Sequence, residues 1–156
     1  MTTTQLLLAA IDEAYDKRSW HGTNLRGSLR GVTLEQAAYR VVSDSHNIWE
    51  LVVHAAYWKY DIRRRLTGEK AHSFAIAGSN FWTRPLEGTP GEWRRDLRLL
   101  EDEHARLRAA VAAFAPARWT RKAPGKPFNF EGLVRGVAAH DLYHAGQIQL
   151  LKRLQE

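Results

Sequence analysis

At 156 residues the chain has the length of one domain, enough to bury a core but short for two. It has no cysteine, which excludes disulfides, thiolate metal sites and a protein thiol nucleophile, and leaves imidazole and carboxylate as the available metal ligands. The formal net charge of +6 is moderate, and the basic residues of Arg63-Arg64-Arg65, Arg94-Arg95 and Arg118 to Lys122 are spread over separate segments without a reading motif. They are read as solvated faces, and no nucleic-acid partner is expected.

The opening residues, from Met1 to Ile11, carry no basic stretch and meet Asp12 and Glu13 too soon for a signal peptide or a spanning helix. A cytoplasmic location with no membrane partner is the expectation. Downstream, the dominant regularity is an apolar residue every three or four positions, the mark of amphipathic helices. The first such segment runs from about Thr3 to Lys17, with Leu7, Ile11 and Ala14 on one face, and stops near Ser19-Trp20-His21-Gly22. Thr33-Leu34-Glu35-Gln36 fits a capping box for a helix of one or two turns.

A second long helix is expected from Asp44 or Ser45 to about Leu66, ending before Thr67-Gly68. Gly68 to Gly88 reads as a long loop, of the kind that covers functional sites. Thr89-Pro90-Gly91-Glu92 then opens a third helix with a threonine cap, a proline at the first position and a glutamate three residues after the cap. Its apolar stripe is Trp93, Leu97, Leu100, His104, Leu107, Val111 and Phe114, and Pro116 ends it. Asn129 caps a fourth helix whose inward positions are Phe130, Leu133, Val134, Val137, His140, His144, Ile148 and Leu151. Four amphipathic helices without strand patterns imply an all-α protein, a four-helix bundle folded as one domain over residues 1–156.

The chemistry sits on the inward faces. His140 and His144 project within about 40° of each other on the apolar stripe of the fourth helix. Two imidazoles buried side by side among Val137, Ile148 and Leu151 need hydrogen-bond partners or a shared cation, because burial resists a second proton. A metal ion answers that need, and His54, beside Leu51 and Trp58 on the second helix, is the expected third ligand. His46 lies eight residues earlier, roughly 12 Å back along the same helix, too far to share an ion through bonds of about 2 Å, and reads as a helix-start residue. His104 also falls on an inward stripe; it reads as a core histidine, with lining the site or ligating as alternatives. Glu50 and Asp141 are candidate acceptors for imidazole N–H groups, and Trp49, Trp58 and Tyr143 candidates to shape a pocket, against the plainer readings of exposed carboxylates and ordinary core aromatics. Three neutral imidazoles leave a coordination position open, the arrangement of catalytic metal sites.

The segments Ser45-His46-Asn47-Ile48-Trp49-Glu50-Leu51-Val52-Val53-His54-Ala55-Ala56-Tyr57-Trp58 and His140-Asp141-Leu142-Tyr143-His144-Ala145-Gly146-Gln147-Ile148 resemble the second and final helices of the DinB/YfiT-like superfamily of small metal-binding proteins. Trp20-His21-Gly22 with Leu25, and Leu29-Arg30-Gly31-Val32, are similar to weaker features of its N-terminal part. The resemblance implies a four-helix bundle with a long crossover connection, and a homodimer. It implies a metal triad of His54, His140 and His144 holding one divalent ion, zinc or nickel first and iron or manganese as further possibilities. It also implies action on a small molecule, as a transferase using a low-molecular-weight thiol such as bacillithiol, mycothiol or glutathione, or as a hydrolase. The alternative is a non-catalytic metal-binding or stress-response module.

Overall fold

The computed structural model describes all 156 residues and is all-helical. Helices α1 (Thr3–Tyr15), α4 (Ile48–Thr67), α5 (Pro90–Ala113) and α6 (Phe130–Arg153) are long, while α2 (Leu25–Ser28) and α3 (Leu34–Ala38) are one-turn pieces joining α1 to α4. A single 3₁₀ turn covers Pro116–Arg118, and the only strand-like feature is an isolated bridge between Lys122 and Asn129. No helix is long and apolar enough to cross a membrane.

Local chemistry sets the helix starts. Thr2 with Gln5, Thr33 with Gln36 and Thr89 with Glu92 form reciprocal capping boxes, and the Asn129 side chain accepts from the Gly132 N–H. Helix α4 begins later than expected. Asn47, with Glu50, makes the box that starts it, whereas the Ser45 hydroxyl is turned back to the Val42 carbonyl. Residues 44 to 46 therefore stay outside the helix, and His46 is a loop residue preceding the cap. The other end of α4 stops at Gly68, whose φ of 78° is the left-handed conformation of a helix C-terminus.

Each long helix packs against two others: α4 on α5 and α6, and α1 on α5 and α6. The indole N–H of Trp49 donates to Asp96 (2.7 Å), and further along both helices Lys59 meets His104, so α4 and α5 run in the same direction. Conversely, Trp58 and Ile62 face Gly132 and Leu133 while Leu51 faces Leu151, so α4 and α6 run in opposite directions. Asp12 pairs with Arg108 and Tyr15 stacks on His104, which makes α1 and α5 opposed as well. Because α4 and α5 are parallel, the chain from Gly68 to Thr89 has to travel back along α4, roughly 30 Å for 20 residues. That return draws residues 80 and 81 across the middle of α4.

The apolar core forms two blocks. One gathers Leu107, Val111, Trp119, Phe130 and Val134, and the other Trp49, Val52, Trp93, Leu100 and Ile148. Between them lies a buried polar layer: His54, Lys59 and Asp61 on α4, Glu103 and His104 on α5, and Asp141 and His144 on α6. Such groups persist inside a protein only when paired, and Lys59 is paired with Asp141. Arg63, Arg64 and Arg65 belong to this layer rather than to a solvated face. Arg64 and Arg65 hold Asp61, and Arg63 bonds Glu103 and Glu69.

Candidate metal centre

His54 on α4 and His140 and His144 on α6 meet where the polar layer opens to solvent. His54 Nε2 lies 3.0 Å from His140 Nε2, which lies 2.9 Å from His144 Nε2. All three candidate ligand atoms fall within 4.8 Å of one another. His54 and His144 are 5 % and 4 % exposed, and His140 is half-buried. The sequence-derived triad is thus brought together from helices 86 residues apart in the chain.

The outer ring nitrogens fix the tautomers. His54 Nδ1 is 2.8 Å from the carbonyl oxygen of Asn80, an atom that only accepts, so Nδ1 carries the proton and Nε2 a lone pair. His144 Nδ1 donates in the same way to the side-chain oxygen of Gln147, at 2.6 Å. Both inward lone pairs then point at His140 Nε2, which has at most one proton to share between them. Protonating the rings is no remedy. Burial pushes His54 down to about 4, and burial with the neighbouring imidazoles pushes His140 down to about 3; burial lowers His144 too.

One divalent cation relieves this crowding of lone pairs, and the donor set suits it. Imidazole nitrogens about 2.0–2.1 Å from a Zn²⁺-sized ion lie roughly 2.9–3.4 Å apart for bond angles between about 90° and 110°. The His54–His140 and His140–His144 separations fall in that range, while the full set spans up to 4.8 Å, so the outer two rings would draw inward around an ion. The outward acceptors on His54 and His144 are the kind of support that orients metal-bound histidines, whereas His140 Nδ1 is buried with no partner in the protein.

The remaining candidates settle elsewhere. Glu50 serves Arg40, His46 and the Asn47 backbone rather than any of the three rings. Asp141, a candidate acceptor for a His140 N–H, is instead fully buried against Lys59, about 100° round α6 from His140. His104 does not join the cluster. It stacks on Tyr15 at 3.8 Å, and burial followed by the Lys59 ammonium pushes it down to about 3. Trp49 is a core residue bonded to Asp96, while Trp58 and Tyr143 do border the centre, edge-on to His140 and His144 respectively. Asn80 and Phe81 were not foreseen. Phe81 lies flat on the His54 ring at 3.8 Å, and both residues come from the returning loop, whose path follows from the parallel helices it joins rather than from any local pattern. Gln147 was visible only as part of the final-helix resemblance.

A cavity of about 560 Å³ opens onto the three histidines, bordered also by His46, Leu51, Phe81, Tyr143 and Gln147. A larger one, about 850 Å³, lies between the end of α1, α2 and the start of α5. It contains none of the three histidines. Two histidine-ringed lone pairs facing a third nitrogen, not cavity size, mark the first as the chemical centre.

A family model described as the DinB superfamily matches residues 17–148, which include all three histidines, the whole of α2 to α5 and α6 as far as Ile148. No curated protein and no solved structure matches the chain.

Proposed function

The chain belongs to the DinB superfamily, and on that premise we propose that it binds one divalent metal ion through Nε2 of His54, His140 and His144 and acts as a metal-dependent enzyme on a small molecule. The observation that carries this reading is the convergence of three neutral imidazoles, two of which, His54 and His144, have their outward nitrogens held by Asn80 and Gln147. Zinc or nickel is the favoured ion, with iron or manganese as alternatives. When bound, such an ion supplies a Lewis acid that lowers the pKa of a water or thiol in its open position.

The protein's own residues provide the rest. Gln147 and Asn80 hold two rings in the tautomer that presents a lone pair, Phe81 shields one face of His54, and Leu51, Leu150 and Leu151 give the cavity an apolar wall. An external low-molecular-weight thiol is the proposed co-substrate of a transfer reaction, with hydrolysis as the other reaction type. The absence of cysteine is compatible with a thiol brought from outside. We further propose a single-domain four-helix bundle with a long crossover, working in the cytoplasm as a homodimer without nucleic-acid or membrane partners.

A second reading has its own support. The triad joins α4 to α6, so an ion there would also staple the two helices and stabilise the fold without turnover. The two are separated by incubating metal-loaded and chelator-stripped protein with thiols and electrophiles, and with activated esters. Turnover that requires metal and is lost in His144→Ala is the outcome expected of the enzyme; metal-dependent stability with no turnover favours the stapling role.

A further inference from the structure

The cavity that holds the three histidines has a fourth imidazole on its wall. His46 precedes the Asn47 cap of α4 and lies face to face with Phe81, 3.6 Å between ring centres and 2° between planes. Phe81 lies equally flat on His54 from its other side, at 3.8 Å and 7°. The two imidazoles therefore flank one phenyl ring, with centres no more than 7.4 Å apart.

His46 is held by a carboxylate. Its Nδ1 lies 3.1 Å from Oε2 of Glu50, which is 3 % exposed. Glu50 also accepts from Arg40 and from the Asn47 N–H. Burial alone would raise the Glu50 carboxyl, but the Arg40 and His46 hydrogen bonds outweigh it and hold the group below the ordinary range, so it is ionised. An ionised carboxylate only accepts, and His46 Nδ1 accordingly carries a proton. That leaves Nε2 as the free nitrogen of a ring whose side chain is 47 % exposed. Around it stand Glu50 and Arg40 on its own side and, across the cavity, His54, His140, His144 and Tyr143.

The carboxylate that caps α4 and holds Arg40 thus also takes one ring nitrogen of His46. A carboxylate on one nitrogen and an open cavity on the other is the arrangement that fixes an imidazole and stabilises it once it has taken a proton. Resting on the metal reading above, we propose that His46 Nε2 is the proton acceptor of this cavity for acidic ligands, thiol or water, that enter it as anions. The ligand's S–H or O–H bond breaks and leaves its electron pair on sulfur or oxygen. The proton forms a new N–H bond at Nε2, and His46 becomes an imidazolium facing Glu50. Nothing is oxidised, and no proton leaves for solvent.

Proton counting tests this without a known substrate. Full-length protein is first titrated with zinc. The zinc-loaded form is then titrated with acetohydroxamic acid, which binds metals as its anion, by calorimetry at pH near 7.5 in buffers of different ionisation enthalpy. Wild type is expected to release far less than one proton per hydroxamate bound, and His46→Phe and His46→Gln about one. The phenylalanine variant keeps an aromatic ring against Phe81, so a purely structural role for His46 would leave its proton count at the wild-type value. Equal release from wild type and His46→Phe, or a failure of hydroxamate to bind the zinc-loaded protein, would overturn the proton role alone. Failure to take up zinc would overturn the metal reading and this inference together.

Discussion

Neutral imidazoles do not gather without cause. Each of the three rings has lost the water that would support a charge, and two of them are fixed by acceptors in the tautomer that aims a lone pair inward. Of those acceptors Gln147 is the more informative to change, because it is a side chain one turn beyond His144 and can be removed without touching the backbone. Gln147→Leu is expected to keep the fold and weaken metal affinity about 10- to 100-fold, the usual cost of losing such an orienting partner. Unchanged affinity, read by competition with a coloured chelator, would show that His144 does not depend on it.

Residue identity was easier to read than residue environment. His140 and His144 announced themselves by four-residue spacing on an apolar stripe, and His54 by its place beside Leu51 and Trp58. Adjacency to His140 in sequence is a poor guide for Asp141, because on a helix adjacent residues point about 100° apart, and Asp141 is turned toward Lys59. Nothing near Lys59 in the sequence reveals that its partner is 82 residues away. Glu50 was misplaced for a different reason: its local duty in the Asn47 capping box and its pairing with Arg40 outrank any duty to His54.

Among the elements, the four long helices were legible because their caps and periodicities agree. Thr89-Pro90-Gly91-Glu92 is the clearest case, since three independent signals place the start of α5 and the structure begins it at Pro90. The start of α4 was less so, as Asp44, Ser45 and Asn47 all qualify as caps, and only the Glu50 side chain three residues after Asn47 decides among them. The return segment from Gly68 to Gly88 was foreseen as a loop over a site, yet its residues carry no periodic signal. Its path is tertiary: Gly88 packs onto the buried Trp49 ring, Arg84 pairs with Asp96, and Asn80 accepts from both His54 and Trp58.

At the scale of the whole molecule, the polar layer between two apolar blocks ties stability to pH. His54, His104 and His140 are held at about 4, 3 and 3, well below the 6.5 of an unfolded histidine, and His144 is lowered as well. The unfolded chain therefore binds more protons than the folded one below about pH 6.5, and stability is lost as pH falls from there toward 4. Asp141 and Glu103, both raised by burial, pull the other way, two groups against four. The melting temperature of chelator-treated protein should thus decline between pH 7 and pH 4.5, as followed by circular dichroism; a flat or rising profile would show that the histidines are not buried as described.

The most direct test is a metal titration of the chelator-stripped protein at neutral pH, with zinc and nickel in turn, on wild type and on His54→Ala, His140→Ala and His144→Ala. Wild type is expected to bind one ion per chain, and every single variant to lose that site while His46→Ala retains it. Stoichiometric binding that survives removal of any one of the three imidazoles, or no uptake by wild type, would contradict a three-histidine metal centre.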